Sequence, residues 1–442
     1  MTRFFYTLLL RLFAPVIWLW MYLRAGAGRE DWEIFAPARF GRYQDKDSRP
    51  GVAGRVWIHA VSLGETRAAQ PLIKAVLDRG LAVLLTHTTP TGRAEGARLF
   101  AEAIASGQLR QTWLPYDFPG STRRFLRFFK PRCGILIERE VWPNLIHEAV
   151  REGVSVILVS ARLSEGGLHR SRWARRALFR AYSALDLVLA QTPADADRLR
   201  KVGAFGPHVV GNLKFDVNLS QAQLADGRRW KDALARPVIA IASTRDGEED
   251  LFAAAIQQAA AELAPAGVLH MLIPRHPQRF GDVAAVLQKY RLDFTRRSID
   301  VEIPPPRMAV LLGDTLGEMA FYYAAADVAI IGGGFAPFGG QNLIEACAAG
   351  TPVIVGPHMQ NFSQATQDAI AAGAAIQATD PGDALRIAYA LLRDRRRLEA
   401  MRQAALDWTA AHTGATKRMM EAMRPWLGAE LATDRAGIQG GR

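Results

Sequence analysis

Short apolar runs recur along the chain and alternate with segments of helical periodicity. In the first half the apolar runs begin near Arg55, Ala82, Cys133, Ser155 and Leu185. A second series begins near Pro237, Leu269, Met308, Val328 and Pro352. Nearly continuous apolar strands that alternate with helices are typical of parallel sheets covered on both faces. The pattern therefore predicts an α/β fold with two doubly wound, Rossmann-like domains.

The two series are separated by a polar stretch, residues 213–236, which we interpret as a hinge. This division predicts an N-terminal domain over residues 26–212 and a C-terminal domain over 237–427 that ends in a closing helix. The small, polar tail over 428–442 is expected to be disordered. Doubly wound sheets bind ligands at the carboxyl ends of their strands. We therefore expect a ligand cleft between the carboxyl ends of both sheets.

The first 25 residues differ from the rest and predict a membrane anchor. Arg11 and Pro15 interrupt the apolar run, so its longest clean piece is 12–23, shorter than the roughly 20 residues of a typical span. Trp18 and Trp20 suit a membrane interface, and no small-residue cleavage site follows. The segment is interpreted as an interfacial helix or a marginal single span, with a buried core helix as the alternative.

Composition narrows the classes of function. A length of 442 residues with 49% hydrophobic residues suits two domains with their own cores. The two cysteines, Cys133 and Cys347, have no partner at metal-binding spacing, which argues against a disulfide framework or a zinc site and fits a reducing compartment. The net charge of +12 favours acidic partners, namely membrane phospholipid, a phosphorylated substrate or nucleic acid.

The glycine-rich stretch over 327–357 is the strongest candidate for a ligand-binding loop. A predicted strand ends at residues 332–334, which are all glycine, and a second glycine pair precedes Asn342. Glycines let the backbone approach a ligand, and a helix N-terminus offers N–H groups to phosphate. Glu345, one turn into the predicted helix, suits a ribose diol. The alternative is an ordinary βα turn in which Asn342 caps the helix.

A second candidate is Glu65, which follows the first predicted strand of the first half. Ser62 and Gly64 form the turn before a helix, and the helix N-terminus is expected to keep the Glu65 carboxylate ionised. An ionised carboxylate at the end of a strand can act as a general base. A helix-capping role for Glu65 is the alternative.

Other strand ends carry weaker signals. Thr89 lies in a polar turn suited to oxygen-rich groups, and Glu138 and Glu140 follow a strand; structural caps and edge pairs are alternatives for them. Two basic runs, one over 123–132 and one over 170–180, are either solvated faces or sites for anionic lipid head groups.

The second half repeats this pattern of polar strand ends. Ser243 and Thr244 open a βα loop, Pro274 and Arg275 offer a cation to an anionic nucleotide, and the turn 313–318 ends at Glu318. Each signal is weak alone, but the topology predicts that they lie at the same edge of a sheet.

Together the motifs resemble those of the Kdo transferases, bacterial inner-membrane enzymes of lipopolysaccharide core synthesis. The resemblance extends from the N-terminal segment to about Phe362 and rests, in order, on HAVSLGE, TTPTG, ERE-WPN, SARLSE, GNLKFD, ASTRDGEE, PRHPQRF, GDTLGEM, GGQN-IE and GPHMQNF. It implies a two-domain GT-B fold and transfer of 3-deoxy-D-manno-octulosonic acid (Kdo) from CMP-Kdo to a lipid A precursor, lipid IVA, with inversion. It also implies a location at the cytoplasmic face of the inner membrane.

The resemblance assigns roles residue by residue. Glu65 matches the family's proton acceptor on the acceptor-binding N-terminal domain. The CMP-binding positions of the donor-binding C-terminal domain match Pro274, Arg275, Leu316, Gly317, Glu318, Asn342, Leu343, Ile344 and Glu345. Further cleft contacts are expected from Ser62, Gly64, Thr89, Glu138, Glu140, Arg162, Lys214, Ser243 and Thr244. The expected partners are CMP-Kdo, the lipid A precursor and anionic inner-membrane lipids, with no nucleic acid, no cofactor and no metal.

The chain departs from the family pattern at a few positions. Gln341 replaces a histidine, Leu343-Ile344 replaces Pro-Leu, Gly334 replaces a serine, and Arg139 replaces a small residue. These changes leave the spacing of Asn342 and Glu345 intact. The alternative functions are another GT-B enzyme, such as a heptosyltransferase or nucleotide-sugar epimerase, or a non-catalytic basic protein that binds membrane or nucleic acid.

Overall fold

The structure is a computed structural model that describes residues 2–25, 32–43, 54–171, 175–217, 219–259, 267–299 and 303–428. For residues 169–171 and 175 it describes the backbone alone. The chain forms two compact units. The first unit consists of residues 1–216 together with 414–442, and the second consists of residues 217–413.

The first unit is built on a parallel sheet of seven strands. In chain order the strands are β1 (Val56–His59), β2 (Val83–His87), β3 (Leu109–Trp113), β4 (Cys133–Ile137), β5 (Val156–Ala161), β6 (Leu187–Ala190) and β7 (His208–Val209). Their order across the sheet is β3-β2-β1-β4-β5-β6-β7.

Helices accompany this sheet along the chain. They are α1 (Arg3–Ala25), α2 (Leu63–Ala68), α3 (Gln70–Asp78), α4 (Pro90–Leu99), α5 (Ala101–Ala105), α6 (Pro119–Phe129), α7 (Pro143–Arg151), α8 (Glu165–Ser171), α9 (Arg175–Ser183) and α10 (Pro193–Lys201). Successive strand residues face opposite sides of the sheet. Trp57 therefore packs in one core cluster, whereas its neighbours Val56 and Ile58 pack in another.

The second unit repeats this architecture. Its strands are β8 (Val238–Thr244), β9 (Leu269–Pro274), β10 (Phe294–Arg296), β11 (Val310–Leu312), β12 (Val328–Ile331), β13 (Val353–Val355) and β14 (Ala375–Gln377). They form a second parallel sheet in the order β10-β11-β9-β8-β12-β13-β14. Its helices are α11 (Gln221–Leu234), α12 (Glu248–Ala259), α13 (Phe280–Lys289), α14 (Met319–Ala325), α15 (Ile344–Ala348), α16 (Ser363–Ala371), α17 (Pro381–Arg393) and α18 (Arg395–His412).

Several helices begin at a polar residue that follows a strand. The hydroxyl groups of Ser62, Thr89 and Thr192 and the carboxylate of Asp380 each accept a hydrogen bond from a backbone N–H three residues later. Such caps satisfy N–H groups that have no partner within the helix. The strand-end turns of this sequence are therefore also helix starts, which is how the chain places polar side chains at the sheet edges.

Every strand predicted from an apolar run is present, and the predicted fold of two doubly wound parallel sheets is confirmed. Four further strands lack an apolar run and were not predicted: Leu109–Trp113, His208–Val209, Phe294–Arg296 and Ala375–Gln377. These four are the outer strands of the two sheets. An edge strand pairs on one side only and is less enclosed, so it lacks a continuous apolar run.

The unit boundaries differ from the sequence-based ones. The segment 213–236, predicted as a hinge, contains Gln221–Leu234, which belongs to the second unit and packs on Met319–Ala325 there. The last helices, α19 (Ala415–Ala422) and α20 (Arg424–Leu427), return to the first unit, so the predicted second-domain limit at 427 is too late. Met419, Met420 and Leu427 are buried in the first unit's core, which holds these helices in place. The tail beyond Gly428 lies outside the described residues.

Candidate active site

The first sheet changes direction between β1 and β4. The chain builds outward from β1 through β2 to β3, and then returns to add β4 on the other side. Ligands of doubly wound sheets bind at such a switch, outside the carboxyl ends of the strands. Glu65 follows β1, and Glu138 and Glu140 follow β4, so the topology brings these three carboxylates to the switch point of the first unit.

Glu65 lies in the first turn of α2 and folds back over the turn that precedes it. Its Oε2 accepts a hydrogen bond of 2.8 Å from the backbone N–H of Val61. Its own N–H lies 3.4 Å from the hydroxyl oxygen of Ser62, which caps the helix. Ser62 is therefore the cap, but Glu65 accepts from Val61 and not from Ser62 itself, so the pair is not a reciprocal capping box. The bond from Val61 fixes the position of the Glu65 carboxyl group at the start of the helix.

The surroundings of Glu65 oppose the expected effect of the helix N-terminus, which is to keep the carboxylate ionised. Burial is the main cause that raises the Glu65 pKa to about 7, and the charges of Glu138 and Glu140 raise it further. The Val61 hydrogen bond and the charge of Lys214 oppose the increase. Because α2 has only six residues, its terminus does not offset the loss of water around the carboxylate. A carboxyl group with a pKa near neutral can both take up and release a proton at physiological pH.

Glu138 is held by two cations and is almost entirely buried, with 4% of its surface exposed. Its Oε2 lies 2.6 Å from Arg162 Nε, and its Oε1 lies 2.9 Å from Lys214 Nζ. Burial by itself favours the neutral form, but Lys214 and Arg162 together lower the Glu138 pKa. The residue adopts a positive φ of 60°, which is uncommon outside glycine and marks backbone constrained by its surroundings. Glu138 is therefore a fixed negative charge beside Glu65.

Glu140 forms the other side of this cluster. Its Oε2 accepts a hydrogen bond of 2.9 Å from the indole N–H of Trp142, and burial raises its pKa. The Trp142 ring packs edge-on against His59 at a centroid distance of 5.8 Å. Arg139, the departure from the family pattern, is exposed between the two glutamates. The cluster thus contains one carboxylate held ionised by cations and two whose protonation is favoured by burial.

Thr89 supports this site through the backbone. Its hydroxyl donates to the carbonyl of Val61 at 2.8 Å and accepts from the N–H of Gly92. A Cβ on Gly92 would lie 2.8 Å from the same Val61 oxygen, so glycine is needed for this close approach. Around Gly64, by contrast, an added Cβ meets no atom within 4 Å. Thr89 therefore positions the Val61 turn, whereas the space at Gly64 is open.

The second sheet has its own switch point, between β8 and β12. Ser243 and Thr244 end β8, and Gly332 follows β12. A Cβ on Gly332 would lie 2.7 Å from the Thr244 Cα, so the two strand ends approach each other closely. Ser243 has a positive φ of 60°, and the buried Thr244 donates to Glu249 at 3.0 Å. The predicted second-half motifs do meet at one sheet edge.

Glu248, which was not among the predicted site residues, also lies at this edge. It is completely buried, and its Oε2 accepts hydrogen bonds from the N–H groups of Gly333 at 2.6 Å and Arg245 at 2.9 Å. Its Oε1 accepts from Phe335 and Ala336 at 2.9 and 3.2 Å. A carboxylate of the protein therefore occupies these N–H groups of the loop, and the expectation that the N-terminus of the following helix offers N–H groups to phosphate stays a prediction. The sequence signal for this role was the pair Glu248 and Glu249, which follows the strand Val238–Thr244.

Asn342 and Glu345 are joined to each other. The Asn342 amide donates to Glu345 Oε1 at 2.9 Å, and its carbonyl oxygen accepts from the Ile344 N–H at 3.0 Å. Asn342 thus satisfies the first N–H of α15, which begins at Ile344, and also orients the Glu345 carboxylate. Leu343 and Ile344 are fully buried, so their side chains cannot contact a ligand, and any role of these two predicted donor-binding residues is limited to the backbone.

Arg275 lies at the end of β9, where its N–H donates to the Thr244 carbonyl at 3.0 Å. Burial raises the pKa of the neighbouring Tyr323 phenol, Glu345 raises it further, and Arg275 opposes the increase. Glu345 and Arg275 are therefore both near enough to Tyr323 for their charges to act on its phenol. Pro274 is buried as the last residue of β9.

The turn before α14 carries the remaining predicted donor-binding residues. Leu316 is 72% exposed, and Gly317 has a positive φ of 80° that favours glycine. The Gly317 carbonyl accepts from Gln223 at 2.8 Å. Glu318 pairs with Arg297 at 3.2 Å and accepts from the Thr315 hydroxyl. An exposed apolar side chain beside an anchored turn is open to a ligand.

The first basic run is partly used within the first unit. Arg123 pairs with Glu148 at 2.7 Å and Arg127 with Glu152 at 2.9 Å. Arg132 donates to the Trp426 carbonyl at 3.1 Å. In the second run, the side chains of 169–175 are outside the described residues. These arginines make contacts within the first unit. Fewer positive charges of the run over 123–132 are therefore available to lipid head groups than the sequence suggests.

Metal ligation has no candidate in the described part of the chain. No three His, Cys, Asp or Glu side chains there are grouped as ligands of one ion. Cys133 and Cys347 are both buried, and burial raises the pKa of each thiol to about 12. The expectation that the reaction needs no metal or cofactor stays a prediction.

Known proteins resemble this chain over most of its length. A family model described as 3-deoxy-D-manno-octulosonic-acid transferase (kdotransferase) matches residues 36–217. The 3-deoxy-D-manno-octulosonic acid transferase of Bordetella pertussis is 59% identical over 429 residues, which are 97% of this chain and 100% of that protein. The enzyme of the same name from Haemophilus influenzae is 31% identical over 436 residues, covering 97% and 99%.

A solved structure shows the same fold at lower similarity. UDP-GlcNAc 2-epimerase from Neisseria meningitidis, bound to UDP-GlcNAc, superposes with a TM-score of 0.54 and 14% identity. The match covers 84% of this chain and 99% of the epimerase. At this identity the likeness concerns the arrangement of the polypeptide and not its chemistry.

Proposed function

The chain belongs to the 3-deoxy-D-manno-octulosonic acid transferase family, and from this premise we propose that it transfers Kdo from CMP-Kdo to lipid IVA, a lipid A precursor. The proposed reaction is one displacement with inversion at the anomeric carbon, at the cytoplasmic face of the bacterial inner membrane. The observation that carries the chemistry is the Glu65 carboxyl group, fixed by the Val61 N–H and with a pKa of about 7.

Glu65 acts as the general base. In its ionised form it accepts the proton of a sugar hydroxyl of the acceptor while that oxygen bonds to the anomeric carbon. The bond between that carbon and the CMP phosphate breaks, and CMP leaves with the electron pair. Because the Glu65 pKa lies near 7, both its ionised and its protonated forms are populated at neutral pH. A base with a pKa near the working pH is close to optimal for such a transfer.

The Glu138 group sets the electrostatics of this step. Arg162 and Lys214 keep Glu138 ionised, and its negative charge raises the proton affinity of Glu65. The same two cations are also candidates to contact anionic groups of the substrates, because each guanidinium or ammonium group has donors beyond those that one carboxylate can occupy. Glu138, Arg162 and Lys214 therefore position and tune the base.

The second unit is proposed to bind the donor. Glu345 is oriented by Asn342 and can accept two hydrogen bonds from the ribose diol of CMP. Arg275, which shares the Tyr323 environment with Glu345, is proposed to face the phosphate. The glycine-rich loop contributes shape, because Glu248 already occupies its N–H groups.

The test is a reaction of the purified protein with CMP-Kdo and a tetraacylated lipid A precursor in detergent. Mass spectrometry of the lipid product should show one or more added Kdo residues, and their number gives the stoichiometry. The Glu65→Gln variant should lose at least about 100-fold in rate, the lower range for general base catalysis, and should bind CMP within a few fold of the wild type. If the folded wild-type protein makes no Kdo-lipid, the proposed reaction is wrong. If Glu65→Gln turns over at close to the wild-type rate, Glu65 is not the general base.

The alternative GT-B functions are separated by donor choice. A heptosyltransferase would consume a nucleotide-activated heptose, and an epimerase would change a nucleotide sugar with no lipid product. Full-length similarity to two Kdo transferases favours CMP-Kdo over both. Supplying these other donors in the same assay should give no turnover.

A further inference from the structure

Helix α1 is docked along its side to the first unit. Among the described residues it is long and apolar enough to cross a membrane by length and composition. However, Ala14 and Met21 on one face are only 5% and 9% exposed, and the helix contacts α7 and α9. The docked face therefore includes at least the part of the helix from Ala14 to Met21.

Polar contacts fix the beginning of this docked face. The Tyr6 hydroxyl donates to Asp117 Oδ2 at 3.0 Å, and the Thr7 hydroxyl donates to Asn144 Oδ1 at 3.0 Å. Arg3 reaches the same amide oxygen at 3.3 Å. Asp117 is buried and also accepts from the N–H groups at the start of α7, those of Asn144 and Leu145. These side chains would be costly to expose to lipid, because buried polar groups need their partners.

Aromatic contacts fix the other half of the docked face. The Trp18 ring lies 5.7 Å from each of the rings of Phe35, Phe40 and Tyr116, and 6.3 Å from that of Phe118. From Arg3 to Trp18 the helix rises roughly 22 Å at about 1.5 Å per residue. A bilayer core is about 30 Å thick, so a helix that crossed it would have to pull this packed side of the unit into the hydrocarbon.

The opposite face of α1 is apolar and exposed. Leu12 is 67% exposed and Trp20 is 55% exposed, and the same stripe contains Phe4, Phe5, Leu8, Val16, Leu19 and Leu23. These positions recur at helical spacing, as in helices that lie at a membrane surface. Such a continuous apolar stripe marks a contact surface rather than an ordinary protein exterior.

Cations lie beside this stripe. Arg11 and Arg124 line a shallow cavity of about 340 Å³ together with Phe118, Gly120 and Ser121. Arg24, near the end of α1, lies over the Trp20 ring at 5.1 Å. An anionic membrane surface attracts arginine, so the rim of the stripe matches phospholipid head groups.

We propose that α1 lies in the plane of the membrane surface, with the Leu12 and Trp20 face in one leaflet and the first unit attached along its other face, and that it does not cross the bilayer. The partner is a monolayer of anionic phospholipid. This deepens the membrane association in the proposed function, but it is independent of the transfer reaction itself.

The orientation can be tested with introduced cysteines. Both native cysteines are buried, so a membrane-impermeant maleimide should react selectively with Thr2→Cys or Ala25→Cys, which lie at the two ends of α1 and outside the apolar stripe. Both ends should be labelled in inverted inner-membrane vesicles, which expose the cytoplasmic face. Neither end should be labelled in spheroplasts, which expose the periplasmic face. Labelling of either end in spheroplasts would overturn the proposal. A lack of Kdo transfer would not change this result, and a crossing helix would not prevent transfer.

A second measurement tests the face. Leu12→Glu and Val16→Glu should weaken sedimentation of the purified protein with vesicles containing phosphatidylglycerol by at least tenfold, and the rate on detergent-dispersed acceptor should stay within a few fold. Phe205→Glu is the matched control, because Phe205 is 90% exposed and lies outside α1; its vesicle binding should be unchanged. Equal loss in the control, or undiminished binding of the α1 variants, contradicts the assignment. Point substitutions are preferred to deletion, since deletion would leave Asp117 without Tyr6.

Discussion

At the scale of single residues, the proton affinity of Glu65 depends on its neighbours more than on its own helix. Removal from water raises the pKa, and the fixed charge of Glu138 adds to the increase. A free glutamate would be fully ionised at pH 7 but a weaker base. The site therefore gains base strength while a substantial fraction of Glu65 stays ionised.

The activity should consequently depend on pH through Glu65. Because its folded pKa is raised to about 7, kcat/KM should rise about tenfold per pH unit below 7 and level off above it. Glu138→Gln removes a like charge and releases Lys214 towards Glu65, and both effects lower the Glu65 pKa. The rising limb of that variant should move to lower pH.

The measurement is kcat/KM between pH 5 and 9 for both proteins. Glu152→Gln is the control, because Glu152 forms a surface pair with Arg127, and its profile should match the wild type. If kcat/KM of Glu138→Gln rises over the same pH range as that of the wild type, the charge of Glu138 does not affect the pKa of Glu65.

Glu345 provides the residue-scale test of donor binding. If it holds the CMP ribose, Glu345→Ala should raise the CMP dissociation constant about 10- to 100-fold, from roughly 1.5–3 kcal/mol for charge-assisted hydrogen bonds. Asn342→Ala should act in the same direction and more weakly, because Asn342 orients Glu345. Calorimetric titration with CMP beside a thermal melt distinguishes binding from stability. A lower melting temperature with unchanged CMP affinity would make Glu345 a structural residue.

At the scale of elements, the glycine-rich loop is shaped by a buried carboxylate. Glu248, at the start of α12, binds the N–H groups of Gly333, Phe335 and Ala336. These bonds tie the loop after β12 to the helix after β8, across the switch point of the second sheet. The conformation of the loop therefore exists before any ligand arrives.

Glu248→Gln should destabilise this element. The amide has one acceptor oxygen where the carboxylate has two, and its NH₂ group would face other donors. Each buried donor left without a partner costs about 1–3 kcal/mol, so the second unit should unfold at a distinctly lower denaturant concentration, and CMP affinity should fall with it. Asp250→Asn, in a surface pair with Lys289, is the control. Unchanged stability of Glu248→Gln would show that the loop holds its shape without the carboxylate.

At the scale of the whole molecule, the chain passes out of the first unit after Asp216 and returns at Gly414. The Asp216 carboxylate accepts from the N–H groups of Gly414 at 2.6 Å and Ala415 at 3.2 Å, and from that of Thr416. Arg418 adds a bond to the Val210 carbonyl at 2.9 Å. The Asp216 side chain thus caps α19. It also joins the segment that leaves the first unit to the segment that returns to it.

Asp216→Ala should weaken the return of the C-terminal helices. Loss of a helix cap typically costs about 0.5–2 kcal/mol, so urea unfolding of the first unit should shift to lower concentration, and limited proteolysis near residue 414 should become faster. Asp226→Ala is the control, because Asp226 pairs only with the exposed Arg229 on its own helix among the described contacts. Equal rates of proteolysis of the wild type and Asp216→Ala would show that Asp216 does not hold the C-terminal helices on the first unit.

The sequence by itself determined the interior of both sheets and the positions of the strand-end motifs. Interior strands are enclosed on both faces, so each reads as a local apolar run, and parallel order then brings the strand ends together. Glu65, Glu138, Arg275 and Glu345 were found in this way, because each directly follows a predicted strand or loop. Family resemblance supplied their roles, which spacing alone left open between caps and catalysis.

Only the tertiary structure decided the features that depend on contacts distant in sequence. The outer strands pair with one neighbour and lack an apolar run. The Glu65 pKa depends on Glu138, and the Gly333 N–H is occupied by a residue 85 positions earlier. Tyr6 docks α1 to Asp117 across 111 positions. Local periodicity shows which side of a helix or strand is buried, but it does not show which distant residue packs against that side. The distant partner determines the pKa of Glu65, the hydrogen bond of the Gly333 N–H and the orientation of α1.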